Sequence, residues 1–251
     1  MKKIVFLLAL SFAFISCNSD DDNPTPLNVD LIFNFTQNWD GTNVTNSDLD
    51  NTVYTTEMGH ELKIARIRYL ISRITLTNSN GTVYNVDGHN LTDMSDVATS
   101  TFDPGMQIPA GDYTVSFVVG FNEEDNVNAA YDDLNSVLWN WPAMLGGGYH
   151  FMQFDGMYDV NSGSPLPFNY HYGTARVSPD VFEQNFYTAD LQNTISVTEN
   201  DTVEIQMNIS EWFKNPYTWD LDVYNTPLMP NYDAQKLMQQ NAATVFSVTT
   251  N

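Results

Sequence analysis

Apolar and polar residues alternate along most of the chain from Leu27 onward, and this period of two constrains the fold more than any other feature. Val29, Leu31, Phe33 and Phe35 occupy alternate positions. Successive side chains of a strand point to opposite faces of a sheet, so this spacing predicts a strand with one buried face.

Similar patterns predict further strands along the chain, separated by turn signals. A longer apolar stretch at 62–76 predicts two strands or one bulged strand, and Asn80-Gly81 predicts a hairpin into 82–86. The remaining predicted strands are 113–121, 149–154, 169–177 and a hairpin-like pair, 194–197 and 202–209. Many short antiparallel strands at this spacing predict an all-β fold, an antiparallel β-sandwich.

Helical patterns are few. One helix is predicted over 232–246, with Asn231 or Asp233 as its N-cap and an apolar face formed by Leu237, Met238, Ala242, Val245 and Phe246. A shorter helix is predicted within 129–138. The chain has no internal repeat, so we expect residues 28–251 to form a single domain.

Residues 1–16 have the pattern of a secretory signal peptide. Lys2 and Lys3 precede an apolar run, residues 4–15, of about 12 residues, too short to cross a bilayer as a helix. The run ends in Ser16-Cys17, which resembles the lipobox of bacterial lipoproteins, with Phe14 where Leu is usual. Cys17 is thus the predicted lipidation site. The alternative is a signal peptide cleaved nearby, with a cysteine that has no role.

Residues 17–27 are predicted to form an acidic, proline-containing tether. Ser19 is followed by three aspartates, which resembles the export tag of surface lipoproteins in Bacteroidetes, although an acidic tether is also simply soluble. The following residues, 23–26, predict an extended spacer. We therefore expect an outer membrane lipoprotein, on the periplasmic or cell-surface side, that contacts the membrane only through its lipid anchor.

The charge balance excludes one class of partner. The chain has 31 acidic residues against 9 Lys and Arg, a formal net charge of -22, so it repels nucleic acids. Gly-x-Ser-x-Gly, His-Glu-x-x-His and glycine-rich phosphate-loop motifs are all absent, and we predict that the protein is not an enzyme. Paired acids such as Asp132-Asp133 leave a hydrolase open as an alternative.

The segment 137–156 concentrates aromatic rings around a histidine. It contains Trp139, Trp141 and His150, and His171 lies downstream in another aromatic run. Imidazole and thioether groups in an aromatic pocket suit copper better than cations that prefer oxygen ligands. The alternative is that the aromatic residues belong to the core and that each histidine is a hydrogen-bonded structural residue.

Short motifs in a fixed order give the chain a resemblance to a known family, the MbnP-like proteins, which are associated with methanobactin-type copper handling. The motifs are 55–64 leading to 67–72, 89–93, Pro109-Ala110-Gly111-Asp112-Tyr113, Phe117-Val118-Val119-Gly120, Trp139-x-Trp141, Gly148-Tyr149-x-Phe151, His171-x-Gly173, Leu228-Met229 and 237–246. Proteins of this type are common as lipoproteins in Bacteroidetes.

The resemblance implies a β-sandwich-like fold. For characterised members it implies copper bound by histidines and a tryptophan that a di-haem peroxidase-like partner oxidises to kynurenine. His171 is then the best-matched copper ligand, and Trp139 or Trp141 is the candidate for oxidation. In copper-binding members a histidine follows the modified tryptophan by two residues, and here that position is Trp141. The site would have to recruit His150, His89 or Met229, or it has been lost while the scaffold remained.

These observations predict a lipid-anchored, extracytoplasmic copper-binding or copper-trafficking protein. The alternative is a surface module that binds glycan or protein on a platform of exposed aromatic rings: Trp139, Trp141, Trp212 and Trp219. Copper requires histidine and methionine side chains that converge in a buried pocket, and the module requires coplanar exposed rings. A hydrolase requires two carboxylates about 5 to 9 Å apart across a cleft.

Overall fold

The computed structural model describes residues 27–251, so the predicted signal peptide, Cys17 and the tether before Leu27 lie outside the described residues. The first strands are β1 (Asn28–Asp30), β2 (Phe33–Trp39), β3 (Thr42–Val44), β4 (Tyr54–Thr55), β5 (Glu61–Asn78), β6 (Val83–Asn85), β7 (His89–Asp93), β8 (Thr101–Phe102), β9 (Gln107–Pro109) and β10 (Gly111–Val119). The later strands are β11 (Met152–Tyr158), β12 (Leu166–Tyr172), β13 (Ala175–Ser178), β14 (Val181–Glu183), β15 (Tyr187–Val197), β16 (Val203–Asn208) and β17 (Phe246–Thr250). The α-helices are α1 (Asp132–Ser136) and α2 (Tyr232–Val245).

Two sheets pack face to face and confirm the predicted all-β sandwich. The larger sheet has eight strands in the order β12-β11-β5-β10-β15, with β4, β6 and β7 also paired to β5, and the smaller sheet contains β17-β16-β2-β3 and β8. Side chains from the two sheets interlock between them: Phe35 packs edge-on against Tyr69 at 6.4 Å, and Phe117 against Phe246 at 5.3 Å. This layer is the main hydrophobic core.

The predicted hairpin between 194–197 and 202–209 is wrong. Residues 194–197 are the end of β15, which pairs with β10 in the larger sheet, whereas β16 pairs with β17 and with β2 in the smaller sheet. The turn at Thr198–Asp201 therefore carries the chain from one sheet to the other. The β2–β16 pair is parallel, an exception in a sandwich that is otherwise antiparallel.

Several local predictions are confirmed. The stretch at 62–76 lies in one bulged strand, β5, in which Arg73 has a φ of 49°. Asn80-Gly81 forms the turn of a hairpin, and the Asn78 amide closes this turn by donating a hydrogen bond to the Thr82 carbonyl. The Asn231 side chain caps α2 by accepting a hydrogen bond from the Ala234 amide. Helix α2 ends one residue before the predicted boundary because Phe246 begins β17.

The short helix α1 is much shorter than the predicted 129–138. Ala129 and Leu138 both have a φ of 57°, a left-handed conformation that an α-helix does not accommodate, so the helix is confined between them. Within residues 27–251 neither α-helix is long and apolar enough to cross a bilayer.

The long strand β5 forms the spine of the larger sheet and determines where the site lies. Its first half pairs with β11 and its second half with β10, while β7 pairs with Arg68–Ser72 on the other edge. The two partners meet at Leu70, whose amide donates to the Phe151 carbonyl and whose carbonyl accepts from the Gly120 amide. The chain thus leaves the sheet at Gly120 and rejoins it at Phe151. We call residues 120–151 the excursion.

Candidate metal centre

The end of the excursion pairs with itself and places the two tryptophans opposite His150. The Trp141 amide donates to the Gly148 carbonyl, and the His150 amide donates to the Trp139 carbonyl, each at 2.9 Å. A turn through Gly146, Gly147 and Gly148 connects the two arms, and all three glycines have positive φ. The two arms therefore form a short antiparallel bridge with His150 beside Trp139.

Beneath this bridge, a polar row runs across the larger sheet. Register places His171 on β12 opposite Gln153 on β11, Gln153 opposite Arg68 on β5, and Arg68 opposite Asp93 on β7. Directly opposite residues share a sheet face, so these four side chains lie on the face away from the main core. The guanidinium of Arg68 lies 4.9 Å from the centre of the Trp139 ring, a cation–π contact.

His150 is the centre of the ring cluster. Its ring centroid lies 5.3 Å from that of His171, 5.4 Å from that of Trp139 and 4.9 Å from that of Trp141. Trp141 also lies where a side chain on residue 173 would be, because a Cβ on Gly173 would stand 2.6 Å from the Trp141 ring. The tryptophan at position 141 thus explains physically why glycine follows His171 by two residues.

The environment of His150 favours a neutral imidazole. Burial, followed by the neighbouring His171, Arg66 and Arg68, lowers the pKa of His150 to about 3. A neutral imidazole keeps a nitrogen lone pair, which a metal ion requires. The Nδ1 atom of His150 is buried and has no hydrogen-bond partner among the described residues.

Asp155 orients the second imidazole. The Nε2 atom of His171 lies 2.8 Å from Oδ1 of Asp155, and both side chains are 14% exposed. Although burial opposes it, hydrogen bonds from His171, Asn169 and Arg66 lower the pKa of Asp155 to about 2, so the carboxylate stays ionised. A carboxylate on one ring nitrogen fixes the tautomer and leaves the other nitrogen, Nδ1, available as a ligand.

A mostly apolar cavity of about 390 Å³ opens beside His171. Met229 and Met144 both line it, together with Leu145 and Asn169. The structure thus brings His171 and the predicted Met229 to one cavity, and the ring of His150, which does not line that cavity, lies 5.3 Å from the ring of His171. Two imidazoles with a thioether nearby form a donor set that fits copper.

Buried polar atoms without a partner are concentrated here. Among the described residues they include Arg68 Nε, Trp139 Nε1, His150 Nδ1 and Gln153 Oε1, all in or directly under the ring cluster. Arg68 Nε lies 3.3 Å from an Asp93 oxygen, which is a charge pair without hydrogen-bond geometry. Because a buried polar atom without a partner costs free energy, such a concentration is typical of a site that a ligand completes.

The other predicted residues have different surroundings. His89 packs edge-on against Phe121 and Tyr131, and its Nε2 lies 2.8 Å from Asp133, in a different cavity from that of His171. His89 therefore does not join the ring cluster.

The aromatic platform predicted for a glycan- or protein-binding module is not present. The four tryptophans of that prediction are buried, and none is more than 2% exposed: Trp139, Trp141, Trp212 and Trp219. Trp212 and Trp219 pack in the main core, Trp139 packs in a second hydrophobic cluster, and Trp141 packs against His150, so these rings form no surface for stacking.

One group of metal-ligating side chains was missed by the sequence analysis. His60, Asp220 and Asp222, which we call the His60 cluster, have potential ligand atoms within 4.8 Å of one another. Burial opposes protonation of His60, but hydrogen bonds with Asp159 and Asp220 raise its pKa. Only the Asp-x-Asp spacing at 220–222 hinted at this cluster, because His60 lies far away in the sequence.

Comparison with known proteins agrees with this architecture. No curated protein matches the sequence. Among solved structures, MbnP from Methylosinus trichosporium has a similar fold, with a TM-score of 0.51 and 14% identity, covering 89% of this chain and 99% of that one. The family model described as MbnP matches residues 28–230, most of the chain. The chain therefore belongs to the MbnP family.

Proposed function

We propose that the protein binds copper through His150 and His171, with the thioether of Met229 as a further ligand. The observation that carries the proposal is the pair of adjacent imidazoles, one with a buried Nδ1 that has no partner in the described part of the chain and the other held by Asp155. Nitrogen and thioether ligands favour copper over cations that prefer oxygen. The bound ion would supply redox and Lewis-acid chemistry, and these side chains hold and orient it.

His150 takes the place of the histidine that the family pattern expects at position 141. The hydrogen bond from the His150 amide to the Trp139 carbonyl places residue 150 beside Trp139 across the bridge. The arm that contains Trp141 lacks the expected imidazole, and the opposite arm supplies one through His150. Trp141 packs on Gly173 and edge-on against His150.

A copper titration tests this proposal. The protein from Asn18 onward, freed of metal with a chelator, should bind about one Cu(I) ion per chain, because soft Cu(I) prefers the histidine and thioether ligands to carboxylates. His150→Ala and His171→Ala should each weaken binding strongly, whereas His89→Ala, the matched control in a separate cavity, should leave it unchanged. Equal binding by all three variants would refute the proposed ligands.

Met229 is tested separately because a thioether discriminates between oxidation states. Methionine sulfur is a soft ligand that prefers Cu(I) to Cu(II). We expect Met229→Leu to reduce the affinity for Cu(I) more than that for Cu(II). A variant that changes neither affinity would remove Met229 from the ligand set.

We further propose that Trp139 is the tryptophan open to oxidation by a di-haem peroxidase-like partner. Its ring packs against His150, and its Nε1 has no hydrogen-bond partner among residues 27–251, whereas Trp141 Nε1 donates to the Leu145 carbonyl. Peptide mass mapping of the protein from its native host should find kynurenine at residue 139 and not at residue 141. Oxidation at residue 141, or at neither, would contradict this assignment.

We propose that the protein is a non-catalytic outer membrane lipoprotein anchored through Cys17, with a copper-binding or copper-trafficking role. The support is the lipobox-like end of the signal peptide and the acidic tether. Wild type should incorporate labelled palmitate and sediment with outer membranes. Cys17→Ala should do neither, and an unchanged distribution of this variant would refute the anchor.

A further inference from the structure

We infer that the His60 cluster (His60, Asp220 and Asp222) is a second metal site, separate from the proposed copper centre, and that it takes a zinc-like divalent cation. The inference rests on the position of one imidazole relative to carboxylates from distant parts of the chain. His60 directly precedes β5, and the two aspartates lie in the irregular segment that leads to α2. We call residues 214–231 the strap.

The spacing of the ligand atoms fits a small tetrahedral ion. His60 Nε2 lies 3.3 Å from Asp220 Oδ1, and the potential ligand atoms of all three residues lie within 4.8 Å of one another. Two ligands of a tetrahedral zinc ion with bonds of about 2.0–2.1 Å stand about 3.3–3.4 Å apart. The nitrogen and the first oxygen are therefore already at the separation that one ion imposes.

The imidazole is oriented from behind by residues outside the cluster. Its Nδ1 lies 3.2 Å from Oδ1 of Asp159, and Tyr158 packs edge-on against its ring at 5.5 Å. The His60 side chain is only 12% exposed, whereas the carboxylates that Nε2 faces are more exposed. A carboxylate on one nitrogen with the other nitrogen directed to a metal is the arrangement that zinc-binding histidines commonly have.

The mixed donor set selects the class of cation. Calcium and magnesium take oxygen ligands almost exclusively, so an imidazole nitrogen argues against both. Zinc accepts both imidazole nitrogen and carboxylate oxygen ligands, and three protein ligands leave its fourth position for water. This cluster also lacks the thioether and the second imidazole that the proposed copper centre offers.

Occupation of the cluster would tie the strap to the start of β5. Asp220 begins a tight turn that is closed by a hydrogen bond from the Tyr224 amide to the Asp220 carbonyl. The residue after this turn, Asn225, fixes the strap to β12, because its carbonyl accepts a hydrogen bond from the Asn169 amide. The far part of the strap carries Met229, beside His171. A cation at the His60 cluster would therefore steady the segment that closes one side of the copper centre.

Zinc titration by calorimetry tests the inference, in a His150→Ala, His171→Ala background that disables the copper centre. This protein should bind one zinc ion, which raises its melting temperature, and should not respond to calcium or magnesium. Asp222→Asn, an exposed position, should weaken zinc binding at least about tenfold, and Asp159→Asn should weaken it about tenfold.

The matched control is Asp112→Asn, which removes the same charge at an exposed position of β10 and should leave zinc binding unchanged. The inference is overturned if no zinc binds. It is also overturned if the Asp222 and Asp112 variants bind zinc equally, because the three residues are then only a histidine paired with carboxylates. Either result leaves the copper proposal intact, since that proposal is tested in chains with an unaltered His60 cluster.

Discussion

The buried imidazole of His150 should make the metal-free protein lose stability as the pH falls below neutrality. Its pKa is about 3 in the folded chain, against 6.5 when it is exposed in the unfolded chain. The unfolded state therefore binds a proton more readily than the folded state. The stability that depends on neutral His150 is complete above pH 6.5 and is lost progressively as the pH falls towards 3.

The size of the effect follows from the two pKa values. One unit of pKa corresponds to about 1.4 kcal/mol, so the free energy of unfolding should fall by about 2.7 kcal/mol between pH 8 and pH 4.5 from this group alone. Asp155, with a pKa of about 2, is ionised throughout this range and contributes little to the change. The window between pH 8 and pH 4.5 thus captures the titration of His150 with little contribution from Asp155.

Urea denaturation at a series of pH values, with a chelator present, compares wild type with His150→Gln. The glutamine variant has no titrating group at position 150. Between pH 8 and pH 4.5 it should therefore lose about 2.5–3 kcal/mol less unfolding free energy than wild type. His60→Gln is the control of opposite sign, because the raised pKa of His60 stabilises the fold at low pH and this contribution is lost as the pH rises. Parallel profiles for wild type and His150→Gln would refute the reasoning.

Two further substitutions test how the site is built into the sheet. Gly120→Ala would place a Cβ 2.2 Å from the Phe151 ring at a φ of +89°, and we expect it to lower the unfolding free energy in urea by about 3 kcal/mol or more. Gly81→Ala, with a φ of +80° and open space around it, is the matched control and should cost only about 1–2 kcal/mol; equal losses would contradict the steric argument. Gln235→Ala removes a fully buried amide that accepts from the Gly173 amide and donates to the His171 carbonyl, and it should cost about 2–5 kcal/mol and weaken copper binding. Gln239→Ala, which loses half-buried hydrogen bonds to the Phe186 carbonyl and from the Lys236 ammonium group, should cost about 1–2 kcal/mol, and a loss as large as that of Gln235→Ala would count against the special role of Gln235.

Local chemistry made much of the fold predictable. Period-two patterns located most of the long strands, the Asn80-Gly81 turn specified its hairpin, and the N-cap Asn231 marked the start of α2. Pairing across the molecule was not predictable in the same way. The chain passes from one sheet to the other at Thr198–Asp201, and a turn signal does not state whether the strands that flank it pair with each other.

The candidate site shows the same division. His150, His171 and Met229 were identified from residue type and family resemblance, and the fold brings the two histidines together and places Met229 on a cavity that His171 lines. The four tryptophans were assigned to an exposed platform in the alternative prediction because ring density alone does not reveal which side of a sheet is covered. The excursion covers one face of the larger sheet and buries Trp139 and Trp141, whereas Trp212 and Trp219 lie in the main core.

The proposed replacement of position 141 by position 150 depends on geometry that no short motif contains. A histidine two residues after Trp139 would lie on the same arm of the excursion, whereas His150 lies on the opposite arm and is nine residues further along. The two positions become equivalent only because the glycine turn at 146–148 folds the arms into a bridge with Asn140 opposite Tyr149. Restoring the family pattern with Trp141→His should therefore lower the stability of the protein, even if it adds a third histidine to the site. It would replace the indole that packs on Gly173 and against His150 by a smaller ring, leave a void there, and lower stability by about 2 kcal/mol or more. A variant of wild-type stability in urea would show that the tryptophan at 141 is not needed to close the site.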